Sequence, residues 1–179
     1  MTVSKKNAFE SGELKVIPAV LLYAQQGSRT LMIHRNARDK SEDYHSGKWN
    51  GLGGKCEPGE SPLETAQREL FEESGLNLQA GCFEPAGVLQ FPLFKPKKNE
   101  DWWVTVFRVN VPEAALASLI ATGPEGDLHW VENAKLLELR LWEGDKLFLP
   151  LVLQKAPFLG SLWYEGETVS RFWVTKLSA

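Results

Sequence analysis

The chain has 179 residues, with 20 lysines and arginines against 23 aspartates and glutamates, for a formal net charge of -3. That length suits one domain with a substantial core, and the slightly acidic balance argues against broad attraction to duplex nucleic acid or to a membrane surface. No apolar run reaches the ~18 residues needed to span a bilayer, and the opening MTVSKKNAFESGELK has no hydrophobic signal core, so cytoplasmic residence is expected.

In chain order, residues 1–13 are polar and read as a loose N-terminal extension, with a single domain over 14–179. Residues 15–24 (KVIPAVLLYA) read as a buried strand, 25–28 as a turn, and 30–35 (TLMIHR) as a second strand. The charged stretch 36–48 is expected to be a surface loop. A helix is expected over 61–74, followed by strands near 77–90 and 102–111. Their link, 91–101 (FPLFKPKKNED), is basic and proline-bearing and reads as a loop. Pro112 ends the fourth strand, and a short helix is expected from Glu113. A strand at 127–131 then leads to a short helical segment (AKLLEL) capped by Asn133. A helix over 145–155 would be kinked or restarted at Pro150, and 161–176 reads as a hairpin. The order is mixed α+β, a central sheet clasped by helices. Cys56 and Cys82 form neither a disulfide framework nor a zinc spacing, and His34, His45 and His129 show no metal-ligand spacing.

The helix at 61–74 carries the most chemistry. Ser61 is its N-cap, Pro62 fits the first helical position, Glu64 completes a capping box, and Gly75 supplies a left-handed stop. Ala66 and Leu70, with Leu63 and Phe71 less regularly, make an apolar stripe. On the other side, Glu69, Glu72 and Glu73 follow Arg68, and positions i, i+3 and i+4 share a face. Like charges so spaced cost an isolated helix roughly 0.2–0.5 kcal/mol per pair, a penalty that a divalent cation reverses. Magnesium, with manganese as the alternative, favours such carboxylate oxygens and bridges them to phosphates. Two or more ions there would neutralise a diphosphate and activate water. Arg68 either orients a glutamate through bidentate hydrogen bonds or forms a plain surface ion pair. Gly51, Gly53, Gly54 and Gly59 just upstream allow backbone to approach a ligand closely. A solvated acidic helix behind a flexible loop is the alternative. It accounts for the glutamates but not for the joint glycine, arginine and cap positions.

This stretch, GKCEPGESPLETAQRELFEESGL from Gly54 to Leu76, resembles the Nudix box. It matches at Gly54, Glu60, Arg68, Glu69, Leu70, Glu72, Glu73, Gly75 and Leu76. The resemblance implies an α/β/α sandwich with a central mixed sheet, and hydrolysis of a nucleoside diphosphate linked to another group. It implies metal ligands at the Gly53 carbonyl, Glu69, Glu72 and Glu73, with Glu69 the usual candidate base. It also implies phosphate contacts at Gly54 and Lys55, and a bracing role for Glu60.

WNGLGGK (Trp49 to Lys55), WEGDKLFLPLVLQK from Trp142, and FLGSLWYEGE are similar to the MutT-type oxidised-purine nucleoside triphosphatases of animals. That similarity implies a purine contact at Asn50, stacking on Trp142 and an acidic base contact at Asp145. It also implies a basic residue near the nucleotide at Arg35 and a further metal carboxylate at Glu125. One departure stands out: Gly144 occupies a position where those enzymes carry an aspartate. Trp142 could instead be a core plug, Asn50 a turn former, and Trp102 and Trp103 core residues or pocket walls.

The expected function is magnesium-dependent conversion of an oxidised purine nucleoside triphosphate, such as 8-oxo-dGTP, to monophosphate and pyrophosphate. The expected partner is a small-molecule nucleotide, and the expected assembly is a monomer or small homo-oligomer. Alternatives are hydrolysis of ADP-ribose, a nucleotide sugar or a capped RNA end, or a nucleotide-sensing module with little turnover.

Overall fold

The computed structural model describes residues 7–36, 47–123 and 125–178. Residues 37–46 of the predicted loop 36–48, including His45, and residues 1–6 of the predicted N-terminal extension lie outside them. The first predicted strand is β1 (Lys15–Gln26), which turns at Gly27 into β2 (Arg29–His34). Alternation along β1 builds two cores at once. Val20, Leu22 and Ala24 join one apolar cluster, while Ala19 and Tyr23 join another. Helix α1 (Pro62–Ser74) closes the first cluster with Ala66 and Leu70, and α2 (Asp145–Leu153) closes the second with Phe148, Leu149 and Val152. The sheet is therefore covered on both faces, which is the expected α/β/α sandwich.

The remaining strands are β3 (Trp49–Asn50), β4 (Phe83–Lys95), β5 (Glu100–Asn110), β6 (Thr122–Gly123), β7 (Gly126–Glu132), β8 (Phe158–Glu165) and β9 (Thr168–Lys176). They form one mixed sheet in the order β6-β7-β2-β1-β5-β4-β8-β9, with β3 paired to β2. The pairs β1–β5 and β4–β8 are parallel and the others antiparallel.

One irregularity positions the site. β1 and β2 pair only near their turn, from Ala24–Leu31 to Gln26–Arg29. Beyond it they part, and the glycine loop lies along the freed edge of β1. Leu22 N–H donates to Leu52 O at 2.7 Å, Val20 N–H to Gly54 O at 2.8 Å, and Cys56 N–H to Pro18 O at 3.0 Å. β3 meanwhile pairs with β2 through Ile33 and Asn50. The loop is thus a wedge between two strands. Gly53 has φ 135°, and a Cβ there would strike the Val20 carbonyl, so only glycine fits.

Helix α1 has the predicted ends. Ser61 N–H donates to Glu64 Oε2 at 2.8 Å and Glu64 N–H returns to Ser61 Oγ at 3.3 Å. Gly75, at φ 74°, donates to Phe71 O at 2.7 Å. Such a cap contributes about 1 kcal/mol. Phe71 is exposed and does not belong to the apolar stripe.

Several expectations are corrected. The strand predicted near 77–90 begins only at Phe83, because Leu76 and Leu78 are drawn into the α1 core and 80–82 form a 3-10 turn. The predicted loop 91–101 is largely strand. Pro92 is tolerated because it falls in the register shift between Phe91 and Lys95. Leu93, at φ 49°, recovers a partner by donating to Asp101 Oδ1 at 2.8 Å. The segments 113–118 and 133–138 are 3-10 turns, and Asn133 caps neither; its Oδ1 accepts the Thr30 hydroxyl at 2.7 Å. α2 runs through Pro150 without a restart, and the hairpin begins earlier, at Phe158. β3 and β6, two residues each, are new. Among the described residues, no helix is long and apolar enough to cross a membrane.

Candidate active site

The α1 face, the glycine loop and the turn before β7 converge on an acidic cavity. Ile33, Glu69, Glu72, Glu73, Gly123, Glu125 and Gly126 line it. The predicted carboxylates are therefore brought together, although not as a bare row. Arg68 is interleaved among them with five hydrogen bonds. Its Nε and Nη2 fork onto Glu60 at 2.8 and 3.0 Å. Its Nη1 reaches Glu69 at 2.8 Å and Glu72 at 3.1 Å, and Nη2 also donates to Lys55 O at 3.0 Å. With so many partners at 23% side-chain exposure, Arg68 is an organiser and not a plain surface ion pair. Glu60 braces the loop, accepting Glu57 N–H at 3.0 Å and the Thr65 hydroxyl at 2.8 Å.

Glu73 Oε2 accepts Gly53 N–H at 2.8 Å, and the Glu69 carboxylate fills the space where a Gly54 Cβ would stand. Arg35 pairs with Glu125, which lines the acidic cavity. Among the described residues, no three His, Cys, Asp or Glu groups stand as a finished metal cluster. Instead Arg68 engages Glu69 and Glu72, Gly53 engages Glu73, and Arg35 engages Glu125.

The electrostatics nevertheless fit a cation. The Arg68 hydrogen bonds hold the Glu60 carboxyl down at about 2. Burial raises Glu69, against the pull of Arg68. Burial also pushes Glu73 up to about 8, helped by the nearby Glu125 and Glu69 and opposed by the Gly53 amide and Arg35. Crowded, half-desolvated carboxylates on one cavity are short of positive charge, and their hard oxygens suit a divalent ion.

A second cleft adjoins the first. Its wall includes Asn50, Gly53, Gly54, Phe91, Phe94, Trp102, Trp142, Asp145 and Tyr164. Asn50 is aimed in by β3, and its Oδ1 is buried with no hydrogen-bond partner among the described residues. Asp145 opens α2, and burial raises its carboxyl to about 7. Trp142 is buried, with the Tyr164 ring edge-on at 5.9 Å. It is neither a simple core plug nor an open platform, because Lys48 covers part of it. Trp102 lines the cleft, whereas Trp103, one residue along the strand, points outward and is exposed. Lys55 is not part of this wall; its Nζ lies 5.2 Å from the Trp102 ring centroid.

Sequence reading missed Phe91, Phe94 and Tyr164, together with Lys48. The period-two alternation that places Leu162 and Tyr164 on one face of β8 is the signal that was available. Both described histidines are elsewhere, His34 stacked on Trp49 at 4.7 Å and His129 packed on the same ring at 5.3 Å. Both cysteines are free and pack against the first core cluster.

A mixed sheet between helices, with a capped acidic helix set against a glycine wedge, defines a phosphoanhydride-hydrolase type of site. A family model described as the NUDIX domain matches residues 14–152, and the chain belongs to that family. It is 34% identical over 130 residues to the oxidized purine nucleoside triphosphate hydrolase of Danio rerio, covering 73% of this chain and 78% of that protein. The Mus musculus protein of the same name is 28% identical over 128 residues, covering 72% and 77%. Among solved structures, the MutT protein of Bacillus halodurans superposes with a TM-score of 0.74 at 25% identity, over 88% of this chain and 97% of that one.

Proposed function

We propose that the protein is a magnesium-dependent pyrophosphohydrolase of oxidised purine nucleoside triphosphates such as 8-oxo-dGTP. It releases the monophosphate and pyrophosphate and so clears damaged nucleotides from the pool. The observation that carries this reading is the shared wall at Gly53 and Gly54. These two residues line the base cleft, while Gly53 N–H bonds Glu73 and Gly54 faces the Glu69 carboxylate. A nucleotide seated by its base would lay its phosphates across the glycines toward the glutamates. The names of the zebrafish and mouse relatives support the substrate class.

In this reading Asn50 and Asp145 hydrogen-bond the purine, and Trp142 and Phe94 enclose it. The glycine wedge lets phosphate approach the backbone without meeting a side chain. Arg68 fixes the directions of Glu69 and Glu72. Glu69, Glu72, Glu73 and Glu125 would hold divalent cation, which when bound supplies charge neutralisation and a more acidic water. Glu69, half-buried beside Gly54, would take the proton of the attacking water. Free nucleotides as substrates fit a cytoplasmic enzyme.

The test is a panel of 8-oxo-dGTP, dGTP, ADP-ribose, a nucleotide sugar and capped RNA, incubated with Mg2+ and resolved by anion-exchange chromatography. Pyrophosphate and monophosphate from 8-oxo-dGTP, at the highest kcat/KM of the set, is the expected outcome. Preferential release of ribose phosphate or sugar phosphate would overturn the substrate, and no turnover at all would overturn the enzyme.

A further inference from the structure

Residue 144 is a glycine for a reason its own backbone does not supply. Its φ of -64° and ψ of -29° are right-handed values open to any residue. What excludes a side chain is a neighbour. A Cβ on Gly144 would strike the Tyr164 hydroxyl, with Leu162 Cδ1 at 3.0 Å and Tyr164 Cζ at 3.2 Å. The same hydroxyl accepts Gly144 N–H at 2.9 Å. A residue on β8 thus holds the space from which a side chain at the start of α2 would enter the base cleft.

Tyr164 is well placed to act in that cleft. It forms part of the wall beside Asn50, Trp142 and Asp145. Its ring is fixed by Trp142 edge-on at 5.9 Å, by Phe91 stacked at 6.2 Å and by Phe94 at 5.8 Å. Its oxygen is oriented by the Gly144 amide. A phenol is both donor and acceptor, whereas an ionised carboxylate only accepts. A hydroxyl beside Asp145 therefore presents a base edge with a different hydrogen-bond pattern from that of two acids.

We propose that Tyr164 is a specificity-determining residue: its hydroxyl stands in for a side chain at position 144 and, with Asn50 and Asp145, reads the purine edge. The inference rests on the purine triphosphate reading above. Sites that hydrogen-bond a substrate group discriminate strongly against analogues that lack it. Tyr164 therefore acts on the choice of base and not on phosphate chemistry. A merely structural prop for α2 would affect both substrates alike.

The experiment compares wild type, Tyr164→Phe, Gly144→Asp and the double variant, all full-length. Steady-state kinetics with Mg2+ on 8-oxo-dGTP and dGTP are paired with calorimetric binding of 8-oxo-dGMP and dGMP. For Tyr164→Phe, KM for 8-oxo-dGTP and the Kd of 8-oxo-dGMP should rise about five- to tenfold, the loss of one hydrogen bond. The values for dGTP and dGMP should change less, and kcat should change little. Gly144→Asp alone should bind poorly, and adding Tyr164→Phe should recover binding, a non-additive pair. Equal effects on both bases, an effect on kcat alone, or additive behaviour of the pair overturns the proposal. If wild type binds the monophosphates but cleaves no triphosphate, the enzymatic reading fails while the Kd ratio still decides the role of Tyr164. If it binds neither monophosphate, this proposal fails as well.

Discussion

The Lys48 ammonium lies 4.1 Å from the centroid of the Trp142 ring and 2.7 Å from Glu167 Oε2. Lys48 is itself buried, so the pair is a built contact and not a chance surface approach. It ties the start of the glycine wedge to the tryptophan and, through Glu167, to the β8–β9 turn. A cation on an indole face is worth about 0.5–2 kcal/mol, which here goes into holding Trp142 still. Lys48→Met keeps the stem and removes the charge. It should raise KM for purine triphosphates about three- to tenfold and leave hydrolysis of a base-free polyphosphate unchanged. Steady-state kinetics on the two substrates would show equal effects if Lys48 served the phosphates instead.

Asn50 offers the opposite balance of stability and function. Its Oδ1 is buried and has no partner among the described residues, and an unsatisfied buried acceptor costs about 1–3 kcal/mol. Asn50→Ala should therefore leave the melting temperature unchanged or higher. At the same time KM for the purine substrate should rise about tenfold or more. A lower melting temperature with unchanged KM would make Asn50 a structural turn residue.

What was legible in the sequence was local. Ser61, Pro62, Glu64 and Gly75 are each chosen by geometry within a few residues, so α1 and its acidic face could be placed from spacing. The strands with a buried, alternating pattern, such as β1, were legible for the same reason. The second cleft could not be placed from spacing: Asn50, Trp142 and Asp145 were expected at a purine from resemblance alone, and Phe91, Phe94 and Tyr164 were not expected at all. Its wall comes from Asn50 on β3, Phe91 and Phe94 on β4, Trp102 on β5, Asp145 on α2 and Tyr164 on β8. Those positions meet only through the strand order. Pro92 misled because it signals a loop in isolation, whereas a register shift absorbs its missing N–H. Arg35 was expected near the nucleotide from resemblance alone, and its pairing with Glu125, 90 residues away, could not be read from spacing.

Arg68 separates orientation from charge. Arg68→Lys keeps a cation but cannot fork onto Glu60 while also reaching Glu69, Glu72 and the Lys55 carbonyl. Turnover should fall about a hundredfold from misplacement of the glutamates, with circular dichroism showing a folded chain. Glu72→Gln, which removes one oxygen charge from an exposed position, should cost turnover by orders of magnitude and weaken Mg2+ binding in calorimetry. Retained activity in Glu72→Gln would remove that residue from the metal site.

The Glu73 carboxyl makes the strongest statement about stability against pH. Its pKa in the folded chain is about 8, against an ordinary 4.5. Below pH ~4 both folded and unfolded chains are protonated there, and Glu73 costs nothing. Between about 4.5 and 8 the unfolded chain releases a proton that the folded chain retains, so stability falls as pH rises, and the loss levels off above 8. The full penalty is on the order of a few kcal/mol. Glu73→Gln has no such titration. In EDTA, thermal melts should therefore show the variant more stable than wild type at pH 8.5 and equal to it at pH 4. Saturating Mg2+ should raise the wild-type melting temperature at pH 8.5 and not that of the variant, because a ligand stabilises only the state that binds it. A wild type that is the more stable of the two in EDTA at pH 8.5 would show that Glu73 is satisfied by Gly53 N–H and Arg35 alone, with no need of a cation.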